Sequence, residues 1–141
     1  MLGYSIRAIT AIGFLSLSSA AFAQDDSASS EAPDSLKVYF ELGQSSIAAD
    51  QAATLDQAAR LFRDGNPYVM ILSGGADTVG PADLNLDLSL ARARAVADGL
   101  EARGIPVNRL QVLGRGNTEL AVDTEDDVAE ERNRLVEITW R

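Results

Sequence analysis

Between residues 36 and 140, four apolar runs too short to be helices alternate with two helix-length segments of regular periodicity, and this order leaves few folds open. The run LKVYFEL (36–42) is aromatic and β-branched and stops at Gly43, as a strand would. Over residues 49–63, Leu55, Ala58, Ala59 and Phe62 recur at helical spacing. Asp50 stands where a cap would, and Gly65-Asn66-Pro67 ends the segment. YVMIL (68–72) is long enough for a strand and too short for a helix; it leads into Ser73-Gly74-Gly75 and a polar turn. A second helix is expected over residues 84–103, with Gly104 as its stop and Pro106 just beyond. RLQVL (109–113) before Gly114, and LVEITW (135–140), are the last two strand candidates. In the latter Val136, Ile138 and Trp140 alternate with Glu137 and Thr139. A βαβαββ order implies crossover units and an α/β (α+β) sandwich, a four-stranded sheet covered by helices. The connection over 115–133 is long and acidic, with a short helical turn expected near residues 128–132.

Ahead of this block lie two segments of different character. Arg7 precedes an apolar stretch of about ten residues that ends in the small residues Ala21-Phe22-Ala23. That is the pattern of a secretory signal cleaved before Gln24, and the stretch is well short of the roughly 20 residues needed to span a bilayer. Residues 24–35 (QDDSASSEAPDS) are small and acidic, with too little apolar surface to offset ordering, and read as a flexible leader. The expected organisation is therefore a signal peptide at 1–23, a leader at 24–35 and one domain at 36–141, with no transmembrane segment in the mature chain.

Composition removes several functions. There is no cysteine and no histidine, which excludes disulfides, thiolate chemistry, lipid attachment at a cysteine, and Ser-His or Cys-His catalysis. No cofactor or metal is expected. The formal charge is −9, from 21 acids and 12 bases; loss of Arg7 with the signal takes it to −10. With no compensating basic stripe, nucleic acid is not an expected partner.

One side chain stands out physically. Leu88, Val96 and Leu100 form a single row on the second helix, and Arg92 lies on it, four residues from both Leu88 and Val96. A guanidinium on a core-facing row must reach the edge or meet an anion. Asp87, Asp98 and Glu101 are candidate internal partners; the alternative is that Arg92 offers its forked donors to a ligand carboxylate. Asp77 follows the second strand, at the edge where open α/β sheets bind ligands, though an Asx turn would also place it there. Together they would suit a zwitterion, with its ammonium on Asp77 and its carboxylate on Arg92.

The segment GGADTVGPADLNLDLSLARARAVADGLEAR (74–103) resembles the central motif of OmpA-like domains, with Gly74, Asp77, Gly80, Asn85, Leu88, Ser89, Arg92, Ala93, Val96, Leu100, Gly104 and Ile105 in register. Val38-Tyr39-Phe40-Glu41, Arg109-Leu110 with Gly114-Arg115-Gly116, and Asn133-Arg134-Leu135-Val136-Glu137-Ile138 resemble the family's flanking blocks. The resemblance implies a mixed four-stranded sheet and non-covalent binding of peptidoglycan through the diaminopimelate residue of its stem peptide. It assigns Asp77 and Arg92 to the ligand, with Asn85 and Arg134 nearby; Phe40 and Glu41 match the opening strand, where core and edge packing serve equally well. It further implies an exported, non-enzymatic periplasmic protein at the cell wall or the inner face of the outer membrane. The sequence departs from the family pattern at Gly75-Ala76, where His-Thr is usual, at Leu135 in place of a second Arg, and at Glu41 in place of Asp. The Gly75-Ala76 departure motivates a second class of function, recognition of an outer-membrane or periplasmic protein through the acidic connection. A carboxylate enzyme using Glu41 and Asp77 is the least supported class.

Overall fold

The computed structural model describes residues 32–141. The expected signal peptide and most of the expected leader lie outside the described residues. The elements are β1 (Leu36–Tyr39), α1 (Ala52–Gly65), β2 (Met70–Gly74), α2 (Ala82–Glu101), β3 (Leu110–Gly114) and β4 (Leu135–Trp140). Single 3-10 turns precede α1, β3 and β4, at Ala49–Gln51, Val107–Arg109 and Glu131–Asn133. The sheet order is β1-β4-β2-β3. β2 and β3 are parallel, joined through α2, while β4 runs antiparallel between β1 and β2. The expected βαβαββ order and mixed four-stranded sheet are therefore what the chain forms.

One face of this sheet is apolar and the other largely polar, with Ile71 and Leu113 among its side chains, because side chains alternate along each strand. Leu36, Val38, Met70, Leu72, Val136 and Ile138 are buried on the inner face together with Leu55, Ala58 and Ala59 of α1 and Ala93, Val96 and Leu100 of α2. Leu72 stands opposite both Val112 and Ile138, and Val38 opposite Val136, so the strands meet through apolar pairs. The other face carries Lys37, Ser73, Gln111, Glu137 and Thr139, none of them buried.

Boundaries differ from the sequence reading where tertiary bonds take over. The first run leaves the sheet after Tyr39. The second strand begins at Met70 rather than residue 68, since the Tyr68 amide is taken by the Arg141 carbonyl (2.7 Å). Asp50 makes no capping bond; it sits in the 3-10 turn, and Gln51 at the N-cap of α1 instead accepts the Tyr39 amide (2.8 Å). α2 starts at Ala82, with Pro81 as N-cap, and its C-terminal closure forms around Gly104 as expected. The Ile105 amide reaches the Leu100 carbonyl (3.2 Å) and the Gly104 amide the Glu101 carbonyl (3.0 Å), a Schellman arrangement with Gly104 at φ +92° and Ile105 buried against Leu100.

Gly74 and Gly114 do more than end their strands. They are a register pair, the last residues of β2 and β3, and α2 passes directly over them. A Cβ on Gly74 would stand 2.0 Å from the Ser89 carbonyl oxygen, and one on Gly114 would stand 2.5 Å from Leu90 Cγ. Ser89 fills the contact: its hydroxyl donates to the Leu86 carbonyl (2.7 Å) and accepts the Gly116 amide (2.9 Å). Gly74→Ala should therefore force α2 away from the sheet and cost at least about 3 kcal/mol of unfolding free energy, read as a lowered urea midpoint at unchanged slope.

Candidate functional site

Since β4 is antiparallel to its neighbours, its N-terminal end lies beside the C-terminal ends of β1 and β2. Three separate stretches of chain therefore converge at one edge: Phe40 after β1, Asp77 after β2 and Arg134 before β4. Backbone bonds lock them together, from the Phe40 amide to the Arg134 carbonyl (2.8 Å) and from the Gly75 amide to the Leu135 carbonyl (2.7 Å). α2, held close by the two glycines, brings Asn85 and Arg92 to the same edge.

Asp77 is 3% exposed and forms a buried ion pair with Arg134, Oδ2 to Nη1 at 3.1 Å. It also accepts the Val79 amide (3.2 Å) on Oδ1, which is an Asx turn, and the Glu130 amide (3.3 Å) on Oδ2. The Asx-turn reading of Asp77 holds, and its carboxylate is at the same time ion-paired at the sheet edge. Arg134 donates from Nε to the Phe40 carbonyl (2.9 Å).

Arg92 is 1% exposed, and none of Asp87, Asp98 and Glu101 pairs with it. Its guanidinium donates instead to three backbone carbonyls: Nε to Gln44 (2.8 Å), Nη1 to Gly75 (3.0 Å) and Nη2 to Glu41 (3.1 Å). Its carbon lies 5.4 Å from the centre of the Phe40 ring. Burial pushes the Arg92 pKa down to about 10; the Asp77 charge opposes that shift and the Arg134 charge adds to it. The group remains a cation at neutral pH. Both arginines keep N–H groups beyond those bonded to protein, and Asp77 keeps acceptor capacity, so donors outnumber acceptors at this edge.

Other residues named from the sequence serve as scaffolding. Asn85 is buried and donates from Nδ2 to the carbonyls of Val79 (3.0 Å) and Gly80 (3.4 Å), tying the 77–80 turn to the first turn of α2. Phe40 is part of the core as well as the platform under Arg92. The Glu41 side chain is exposed, and only its carbonyl enters the site. Thr78 was not foreseen. Its hydroxyl donates to the Glu125 carbonyl (2.7 Å) and accepts the Val128 amide (3.0 Å), anchoring the acidic connection beside Asp77; a lone threonine in a polar turn carries no signal for this. Among the described residues no group of three or more carboxylates is placed to hold a metal ion.

Residues 39–134 match the model of the OmpA family. The chain is 33% identical over 98 residues to the peptidoglycan-associated lipoprotein of Brucella melitensis, a match covering 70% of this chain and 58% of that protein. It is 36% identical over 93 residues to the corresponding lipoprotein of Rhizobium meliloti, covering 66% and 52%. The chain thus spans little more than half the length of these relatives. Among solved structures, the peptidoglycan-associated lipoprotein of Burkholderia pseudomallei superposes with a TM-score of 0.69 at 23% identity, covering 75% of this chain and 90% of that one. The OmpA-like domain of FopA1 from Francisella tularensis superposes at 0.67 and 21%, covering 74% and 69%.

Removing one member of the buried ion pair should strand its partner. Asp77→Ala is expected to lower unfolding free energy by about 3 kcal/mol, and Asp77→Asn, which keeps an acceptor for the Val79 amide, by clearly less. Urea unfolding of the two variants beside the parent checks the order.

Proposed function

The chain belongs to the OmpA family, and on that premise we propose that its folded part is a non-enzymatic module of the bacterial cell envelope that binds peptidoglycan non-covalently. The ligand is the diaminopimelate residue of the stem peptide, whose free end carries an ammonium and a carboxylate on one carbon. The observation that carries this reading is the polar edge itself. One carboxylate, Asp77, stands beside two arginines that retain unspent N–H donors. An amino-acid head fits that inventory: its ammonium takes the remaining acceptor capacity of Asp77, and its carboxylate takes the spare donors of Arg92 and Arg134. The two arginines against one aspartate also leave net positive charge, which favours the carboxylate in an otherwise acidic protein. Asn85, through the 77–80 turn, holds Asp77 in place at the edge of the same site.

Two relatives are named for their association with peptidoglycan, which supports the same placement for this chain. The site works from the periplasmic side of the envelope, against the wall or the inner face of the outer membrane. The side chains at Gly75 and Ala76 contribute nothing to the ligand, so affinity rests on the Asp–Arg group alone. Each neutral hydrogen bond forgone is worth about 1 kcal/mol, a several-fold weakening.

Co-sedimentation of the chain from Gln24 onward with diaminopimelate-type sacculi tests this. Pelleting reversed by free diaminopimelate is expected, and Asp77→Asn should weaken it at least about tenfold by removing the charge that meets the ammonium. Failure of the parent chain to pellet would overturn the reading. The acidic 115–133 connection would then be the surface to test against envelope proteins.

A further inference from the structure

Arg115 is the one group whose surroundings the wall-binding reading leaves unexplained. Its backbone is held at both ends. The amide donates to the Gly74 carbonyl (2.9 Å), and the carbonyl accepts from the Thr118 amide (3.2 Å) and hydroxyl (2.7 Å). Gly116 beside it is bonded to Ser89 and to Ala76. Its guanidinium, by contrast, makes no hydrogen bond among the described residues. Nε is buried without an acceptor, and Nη1 lies 3.7 Å from Glu119 Oε2, too far for a hydrogen bond. A charged group whose N–H meets no protein acceptor is open to an acceptor supplied from outside the fold.

Gly75 makes the room. Gly74 turns its Cβ position toward α2, so Gly75 turns its own toward the polar face of the sheet. A Cβ there would stand 3.1 Å from the Asn133 carbonyl and 3.9 Å from Arg115 Nη2. A larger side chain at position 75 would therefore contend with the guanidinium for the same space. In this chain Arg115 has it, and beside it opens a hollow of about 420 Å³ lined by Lys37, Glu119, Leu120, Ala121, Leu135 and Glu137.

We propose that this hollow is a second binding subsite, in which Arg115 grips the terminal carboxylate of a peptide. A planar guanidinium with free N–H groups matches a carboxylate in shape and charge. Lys37 adds a second cation, while Glu119 and Glu137 make the lining too acidic for a phosphate dianion. Leu120 and Ala121 give the hollow a short apolar wall against which the last residue of the peptide can lie. Glu119 is 71% exposed in its side chain and reaches Arg115 only loosely, so the incoming carboxylate displaces it at little cost. The subsite lies on the polar sheet face, apart from Asp77, and does not depend on the wall-binding reading.

The test follows the Arg115 Nε–H resonance by NMR while the chain is titrated with N-acetyl-alanyl-alanine, and separately with its C-terminal amide. The acid should shift that resonance saturably and the amide should leave it in place. Glu119→Gln should tighten binding of the acid several-fold by removing its competitor. Arg115→Ala should weaken it at least tenfold, and Arg115→Lys, which keeps charge without the fork, should fall between. Equal response to acid and amide, or no shift with the acid, would overturn the proposal, even if Arg115→Ala failed to fold. Sacculus pelleting separates the two sites: pelleting without a shift overturns this proposal alone, and a shift without pelleting overturns only the wall-binding reading.

Discussion

Placing a guanidinium on the core side of α2 requires the surrounding chain to supply acceptors, and the whole functional edge is arranged around that requirement. An unpaired buried cation would cost several kcal/mol. Here Arg92 is met by the carbonyls of Glu41, Gln44 and Gly75, by the face of Phe40 and by the field of Asp77. These groups come from the segments after β1 and β2, so satisfying one side chain fixes the course of two loops. The 77–80 turn, the end of β1 and the start of β4 are then tied together by Asp77, Asn85 and Arg134.

That arrangement is possible only because α2 lies so close to the sheet. Gly74 and Gly114 present bare backbone to Ser89 and Leu90, and the Ser89 hydroxyl satisfies the Gly116 amide across the contact. A Cβ on either glycine would lift the N-terminal half of α2, and with it Asn85 and Arg92, away from Asp77. Packing and chemistry are here the same constraint, because the residues that permit close approach also set the reach of the site residues.

The polar face of the sheet follows a different logic. It is uncovered by either helix, and its upper corner holds Arg115 in the space that Gly75 leaves. The departure of this sequence from the family pattern at positions 75 and 76 therefore has a structural counterpart: a cation from the β3–β4 connection stands beside the missing side chain. Two cationic environments result. One is buried and bonded to backbone; the other is anchored by its main chain and met at its tip only by the exposed Glu119.

Much of this was legible in the residues themselves. Apolar periodicity placed both helices and all four strands, since burial on one face leaves a period of 3.6 or 2 in the chain. The row Leu88-Arg92-Val96-Leu100 put Arg92 on the core-facing side of its helix, and position after β2 singled out Asp77. Strand order, the partners of Arg92 and the pairing of Asp77 with Arg134 were not legible, because they join separate segments, with bonds spanning 17 to 57 residues of chain. No local pattern records whether an arginine meets an acid on its own helix or three carbonyls from elsewhere. Likewise, Gly114 reads as the end of a strand, which it is, but nothing local shows that it and Gly74 are contacts for α2, or that Thr78 anchors a distant loop. The local sequence determined which elements form and which faces they bury; only the tertiary structure decided which groups meet at the sheet edge, because hydrogen bonds and ion pairs there depend on a convergence that periodicity does not encode.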